Sequence, residues 1–207
     1  MIVVGLTGNY GMGKSSVAAL FRELGAHTLD SDKIVAGLLK QESVRGQIMG
    51  LLGVGVLKAD GSLNKDGIAK IVFNNKLLRM KLQAMLHPLV LDNVDKDIRR
   101  IRDTNCIVVV EVPLLFEGKF QNRFDRTITV YTRQMTALAR LKKTGIARKD
   151  ALSRLKAQMD IRLKKKLSDF CINNNGTKRQ TEMQVMRIFQ SLVKENSMRL
   201  TGDRRRS

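Results

Sequence analysis

The sequence predicts an α/β fold: a parallel sheet of about five strands flanked by helices. Three observations carry that prediction. A compact apolar run at residues 2–6 (IVVGL) is broken at once by a glycine-rich stretch and followed by helical spacing. A second run, residues 107–112 (IVVVEV), is almost continuously apolar, as parallel strands are when helices cover both faces. Finally, strand-like and helix-like segments alternate along most of the 207 residues.

Each element has its own reason. Residues 2–6 are β-branched and too short for a helix before Gly8 to Gly13 interrupt them. From Lys14 the apolar positions Val17, Ala18, Leu20, Phe21 and Leu24 recur at helical spacing, and Gly25 supplies the stop. Residues 27–30 (HTLD) form a second short strand, and 31–39 begin another helix. Between about 44 and 102 there is no strong strand pattern. Helical pieces stand near 48–52, 67–73, 76–86 and 89–101, with His87-Pro88 as a helix break, so this stretch reads as a helical insertion between strands. Strands resume at 107–112 and at 126–131 (RTITVY). A helix over 133–141, a loop at 144–147, a helix near 149–158, a last strand at 169–172 and a final helix over about 177–200 complete the plan. The implied division is a core of 1–33, 106–132 and 167–207, a helical segment 34–105 and a basic segment 133–166.

Composition narrows the class of function. With 43% hydrophobic residues the chain carries enough apolar material for a core, which excludes disorder as the default. Thirty-eight Lys plus Arg against nineteen Asp plus Glu give a formal charge of +19, which favours phosphate-bearing partners. Over half of that excess, a net +10, lies in 133–166, where the alternative reading is a solvated helical face. Aromatic residues make up only 4%, so base stacking on single-stranded nucleic acid is poorly supported. Cys106 and Cys171 sit in apolar runs and read as small buried core residues in a reducing compartment. No run reaches the roughly 18–20 apolar residues of a membrane span, and residues 1–7 do not resemble a secretory signal, so the expected location is cytoplasmic. Arg204, Arg205 and Arg206 read as a frayed tail without a role.

The chemistry begins at Gly8-Asn9-Tyr10-Gly11-Met12-Gly13-Lys14-Ser15, which satisfies G-x-x-x-x-G-K-[S/T] at a strand-to-helix turn. Glycines let backbone N–H groups close around phosphate oxygens, and the helix N-terminus adds partial positive charge. The backbone of Gly8, Gly11, Met12 and Gly13, with Lys14, Ser15 and Ser16, is therefore the expected phosphate cradle. Lys14 would reach the β and γ phosphates, and Ser15 would place its hydroxyl on Mg²⁺. ATP and Mg²⁺ follow as the implied nucleotide and metal. Asp30-Ser31-Asp32 ends the second strand at the carboxyl edge of the sheet; either carboxylate is a candidate base, and either residue type also suits a helix cap. Glu111 closes the apolar strand where an acidic group commonly holds magnesium hydration; a purely structural carboxylate there needs hydrogen bonds. Arg140 is a candidate for neutralising charge on a transferred group, against the alternative of a surface arginine.

Taken together, GLTGNYGMGKSSVA, LGAHTLDSDKIV, LHPLV at 86–90, VVEVPLLFEGKF at 109–120, FDRTITV at 124–130, RLKAQM at 154–159 and DFCINNNG at 169–176 resemble dephospho-coenzyme A kinases, in that family's order over nearly the whole chain. The resemblance implies a phosphate-loop nucleotide-binding core with a helical acceptor-binding insertion and a small helical lid. It implies transfer of the γ-phosphoryl of ATP to the ribose 3'-hydroxyl of dephospho-CoA, the last step of coenzyme A synthesis. By motif position, Asp32 would be the carboxylate at the acceptor hydroxyl and Arg140 the arginine at the transferring phosphate, alongside Lys14. Thr7, His87, Glu111 and Glu117 would lie on the acceptor side, and Asn174, Asn175 and Gly176 near the adenine. Ser15 would hold Mg²⁺, with Glu111 reaching it through water.

The sequence departs from the family pattern in three places, the mildest being Asn9, Tyr10, Met12 and Ser16 at tolerant positions of the phosphate loop. Glu111 stands where Asp is usual, and after Arg140 the family's second arginine is absent, leaving Lys142 or Lys143 in its place. Two other readings compete: a phosphate-loop kinase for a nucleoside monophosphate or small hydroxylated metabolite, and a nucleotide-dependent nucleic-acid binder. The Asp-x-Asp pair and the long helical insertion favour a bulky acceptor, and no groove-reading motif supports nucleic acid. The expected partner is the small molecule dephospho-CoA, with no specific nucleic acid and no membrane, in a monomer or small homo-oligomer.

Overall fold

A computed structural model of the chain describes residues 1–101, 103 and 105–203; Arg204 to Arg206, read above as a frayed tail, lie outside the described residues. Five parallel strands form one sheet: β1 (Ile2–Thr7), β2 (His27–Asp30), β3 (Ile107–Glu111), β4 (Arg126–Tyr131) and β5 (Phe170–Asn173), in the order β2-β3-β1-β4-β5. The central strand β1 separates the two directions of winding, so the loops at its carboxyl end lie at the topological switch point where open α/β sheets bind ligands. Register aligns that edge, because Glu111 stands opposite both Leu6 of β1 and Asp30 of β2.

Alternation along the strands decides what covers each face. Ile2, Val4 and Leu6 share a core with Val17, Ala18 and Phe21 of α1 (Lys14–Glu23) and with Val185, Ile188 and Leu192 of α9 (Lys178–Asp203). Gly5 points to the opposite face, where a side chain would collide with Leu115 and crowd the Phe124 ring. The last strand is shifted from its sequence-predicted start. Asp169 lies outside it: its backbone amide donates to the Thr127 hydroxyl at 3.1 Å, while its carboxylate accepts the Thr127 amide and hydroxyl, both at 2.7 Å.

The chain divides into two compact units, residues 31–100 and the remainder. Unit 31–100 contains α2 (Ser31–Leu38), α3 (Glu42–Leu52), a 3-10 turn (Val54–Val56), α4 (Lys65–Asn74) and α5 (Lys76–Arg100). Its own core joins Val44, Ile48, Val56, Leu63, Ile68 and Val72, against which Leu82, Met85, Leu86 and Leu89 of α5 pack. Here the sequence reading needs correction, since His87-Pro88 does not break the helix: α5 runs through Pro88. Proline forfeits one backbone hydrogen bond, but Leu86 and Leu89 on either side of it are anchored to the same apolar cluster, and that packing keeps the helix continuous.

In the larger unit, the basic segment folds as α6 (Gln134–Lys143), α7 (Arg148–Lys156) and α8 (Ile161–Leu167). The sequence pattern missed α8 because this helix inverts the usual rule. Leu163 and Leu167 are more than half exposed, whereas Lys164 is fully buried, so no apolar stripe announces it. Cys106 is buried as expected; Cys171 is only half-buried, with its thiol directed at the Lys165 carbonyl, so it is not the core residue its apolar neighbours suggested.

Candidate active site

The loop between β1 and α1 is built by backbone that side chains would obstruct. Gly8 has φ +150°, and a Cβ there would overlap the Val130 carbonyl oxygen. Gly13, at φ +90°, leaves no room for a Cβ beside the Asn174 amide, with the Arg140 guanidinium 3.3 Å away. These are steric requirements for glycine as well as conformational ones. Lys14 opens α1 and folds its ammonium back over the loop, donating to the Gly8 carbonyl at 3.0 Å and the Asn9 carbonyl at 3.5 Å. Ser15 donates its hydroxyl to Glu111 Oε2 at 3.0 Å, so the end of the loop and the end of β3 meet.

A cavity of about 510 Å³ opens beside this loop. The sequence-predicted residues Gly13, Ser16, Arg140, Asn174 and Gly176 all line it. Asn174 organises them: its amide nitrogen donates to the Met12 carbonyl at 3.0 Å, its side-chain oxygen accepts from Thr181 at 3.1 Å, and its backbone carbonyl accepts from Arg140 at 2.9 Å. Arg140 is thereby held at the phosphate loop by residues after β5. Lys178 and Thr181 also line the cavity. Sequence reasoning passed over both because they belong to the opening of a long terminal helix with no motif of its own. Asn175 serves the turn instead, its side-chain oxygen accepting from the Thr132 hydroxyl at 2.7 Å and the Arg133 amide at 2.6 Å.

On the other side of the loop, Thr7 is fully buried and donates its hydroxyl to the Pro113 carbonyl at 3.2 Å. The same carbonyl accepts from Lys164 Nζ at 2.9 Å. Lys164 also pairs with Glu117 Oε1 at 2.9 Å, and that oxygen accepts the Met159 amide at 2.9 Å. Burial pushes the Lys164 ammonium below the usual lysine range, opposed by the attraction of Glu117. Lys164 carried no sequence signal beyond membership of a lysine run.

Of the residues expected on the acceptor side, two lie in unit 31–100. Asp32 stands in the first turn of α2, two residues past the end of β2. His87 lies within α5, where burial lowers its imidazole below the ordinary 6.5. Lys142 and Lys143, the candidates for a second lid cation, are exposed in the last turn of α6.

A parallel sheet of this order, with a G-x-x-x-x-G-K-S loop leading into α1 and a lysine, serine and arginine gathered around it, defines a phosphate-loop kinase. Comparison with known proteins narrows the class. The family model for dephospho-CoA kinase matches residues 2–180, and the chain belongs to that family. A dephospho-CoA kinase from Geobacillus kaustophilus is 34% identical over 91% of this chain and 95% of its own. Among solved structures, a Thermus thermophilus protein superposes with a TM-score of 0.81 at 28% identity, covering 92% of this chain and 96% of its own. The dephospho-CoA kinase from Campylobacter jejuni superposes with a TM-score of 0.68 at 25% identity, covering 94% of this chain and 98% of its own.

Proposed function

We propose that this protein transfers the γ-phosphoryl of ATP to the ribose 3'-hydroxyl of dephospho-CoA, completing coenzyme A synthesis. The observation that carries the reading is the family match across residues 2–180, supported by the gathering of Gly13, Ser16, Arg140 and Asn174 around one cavity beside the phosphate loop.

In this reading the phosphate loop and Lys14 hold the donor phosphates, while Asn174 and Gly176 border the nucleoside. The 34–105 segment receives the acceptor, and 133–166 acts as the lid. Asp32 orients the acceptor hydroxyl and takes its proton as the new O–P bond forms. The bond between the γ-phosphorus and the bridging oxygen breaks, and its electron pair leaves with ADP. Arg140, already directed to the loop by Asn174, neutralises charge that grows on the transferring group. His87 and Glu117 serve the acceptor side, Glu117 through the contacts of its carboxylate with α8.

Magnesium fits the residues present. Ser15 and Glu111 offer a hydroxyl and a carboxylate 3.0 Å apart, both hard oxygen donors. Among the described residues no cluster of three or more His, Cys, Asp or Glu side chains forms a cage, which suits an ion that binds few protein ligands and keeps phosphate and water. When bound, Mg²⁺ supplies charge neutralisation at the β and γ phosphates. Two free thiols support a cytoplasmic setting, and among the described residues no helix is long and apolar enough to cross a membrane.

The test is ADP release from Mg-ATP with dephospho-CoA, AMP or adenosine as acceptor, and mass analysis of the product. Stimulation by dephospho-CoA with a new 3'-phosphate is expected. Stimulation by AMP or adenosine alone would transfer the site to a different acceptor class.

A further inference from the structure

Met159 lies between two loops and is hydrogen-bonded to both through its backbone. Its carbonyl accepts from Asn9 Nδ2 of the phosphate loop at 3.0 Å. Its amide donates to Glu117 Oε1, on the segment after β3, at 2.9 Å. One residue earlier, the Gln158 side-chain oxygen accepts the Tyr10 amide at 2.8 Å. Behind the turn, Lys164 Nζ bonds Glu117 Oε1 and the Pro113 carbonyl, both at 2.9 Å, and Pro113 also accepts from Thr7 at the end of β1. The circuit closes: β1 and the phosphate loop, residues 158–159, Glu117 and Lys164, Pro113, and back to β1.

We propose that Glu117 and Lys164 are positioning residues for phosphoryl transfer, acting through the 158–159 turn to fix the phosphate loop against the 113–117 segment. The inference rests on the kinase reading above, in which Glu117 serves the acceptor side through α8, and adds Lys164 and the 158–159 turn as the route by which that carboxylate acts at a distance from the reacting atoms. Rigid placement matters here because phosphoryl transfer depends on alignment of donor and acceptor more than on covalent help from the protein. A lysine with no exposed surface is an expensive way to hold a helix, and an apolar side chain would fill α8's inward position at lower cost. What an apolar residue cannot do is bond two separate oxygens, Pro113 O and Glu117 Oε1, and so set the spacing of the segment that carries them. Glu117 completes the arrangement because the oxygen that meets Lys164 is the one that receives the Met159 amide. The carboxylate therefore transmits the position of α8 to the turn that holds Asn9 and Tyr10. Arg154 strengthens the same side of the circuit, donating to the Tyr10 hydroxyl at 3.1 Å and standing over its ring at 4.9 Å.

The experiment compares Glu117→Gln, Lys164→Met, Asn9→Ala and the pair Asn9→Ala/Glu117→Gln, each shown to be folded by its unfolding transition. Expected for Glu117→Gln and Lys164→Met is a fall in kcat of about tenfold or more at temperatures where the protein stays folded, with KM for ATP changed by less than about threefold, the pattern of lost transition-state alignment. Asn9→Ala and Glu117→Gln should be non-additive in kcat, because both act through Met159. A kcat equal to wild type per folded molecule, or full additivity, would overturn the proposal. Amide exchange at Tyr10 provides a readout without turnover: Glu117→Gln should accelerate it by about tenfold or more through loosening of the Gln158 contact. Unchanged exchange would overturn the proposal even if dephospho-CoA proved not to be the acceptor, whereas a wild-type enzyme inactive on dephospho-CoA would count against the acceptor assignment alone.

Discussion

Ser15 and Glu111 meet at 3.0 Å although 96 positions separate them in the sequence, one at the opening of α1 and the other at the last position of β3. Parallel pairing of β1 with β3 creates this contact, since it sets Glu111 opposite Leu6, just before the phosphate loop. The same register brings Asp30 alongside Glu111. The hydroxyl–carboxylate pair proposed to hold magnesium thus arises from strand alignment.

Replacement of Ser15 by Ala, or of Glu111 by Gln, is expected to raise the magnesium concentration needed for half-maximal turnover and to lower kcat/KM by roughly ten- to a hundredfold. A magnesium titration of ADP release checks this. An unchanged midpoint in both variants would remove the pair from metal binding.

Lys14→Ala should abolish detectable ATP binding in a nucleotide titration. Asp32→Asn should keep ATP affinity and cut turnover by roughly a hundredfold or more, the scale of a lost general base. Arg140→Ala should lower kcat more than it weakens ATP binding, because its charge is needed most in the transition state. Normal turnover by either of the last two variants would withdraw that residue from the chemistry.

Lys164→Met leaves Glu117 without its cation in a mostly buried setting, and a loss of about 3–5 kcal/mol of stability is expected, the usual cost of breaking a buried pair. Glu117→Gln/Lys164→Met should recover part of that loss, since neither charge then remains uncompensated. Urea unfolding of the two variants beside wild type measures both effects. A double variant no more stable than Lys164→Met would show that the charge of Glu117 is not the source of the penalty.

Burial of His87 gives a pH dependence of known sign. Its folded value lies below the ordinary 6.5, so between the two values the unfolded chain binds more protons. The contribution is fully present above about pH 6.5 and is lost as pH falls through the lowered folded value. Urea midpoints between about pH 5 and 7.5 should therefore fall toward the acid end, and His87→Gln should flatten that slope. A proton titration of the imidazole that ends at or above 6.5 would contradict the burial effect.

The sheet, the phosphate loop and the class of chemistry are legible in the amino-acid order alone. Those features are local: the glycines that let Gly8 and Gly13 pack against other chain segments, the apolar run that only a doubly covered strand needs, and the lysine-serine pair at the start of a helix all lie within short stretches. Family resemblance extended the reading from Arg140 to Asn174 and Gly176, and the structure gathers all three at the loop's edge. The remaining features depend on groups that folding brings together from distant positions. Pro88 stays inside α5 because Leu86 and Leu89 are held by an apolar cluster assembled from other helices. Asn174 becomes the node of the cavity because β5 ends beside the loop after β1's neighbour β4, a consequence of strand order. Lys164 is invisible in a run of lysines, since periodicity assigns charged residues to the surface. Its burial follows from two oxygens, on Pro113 and Glu117, that lie about fifty residues earlier and become its partners only when the chain has folded.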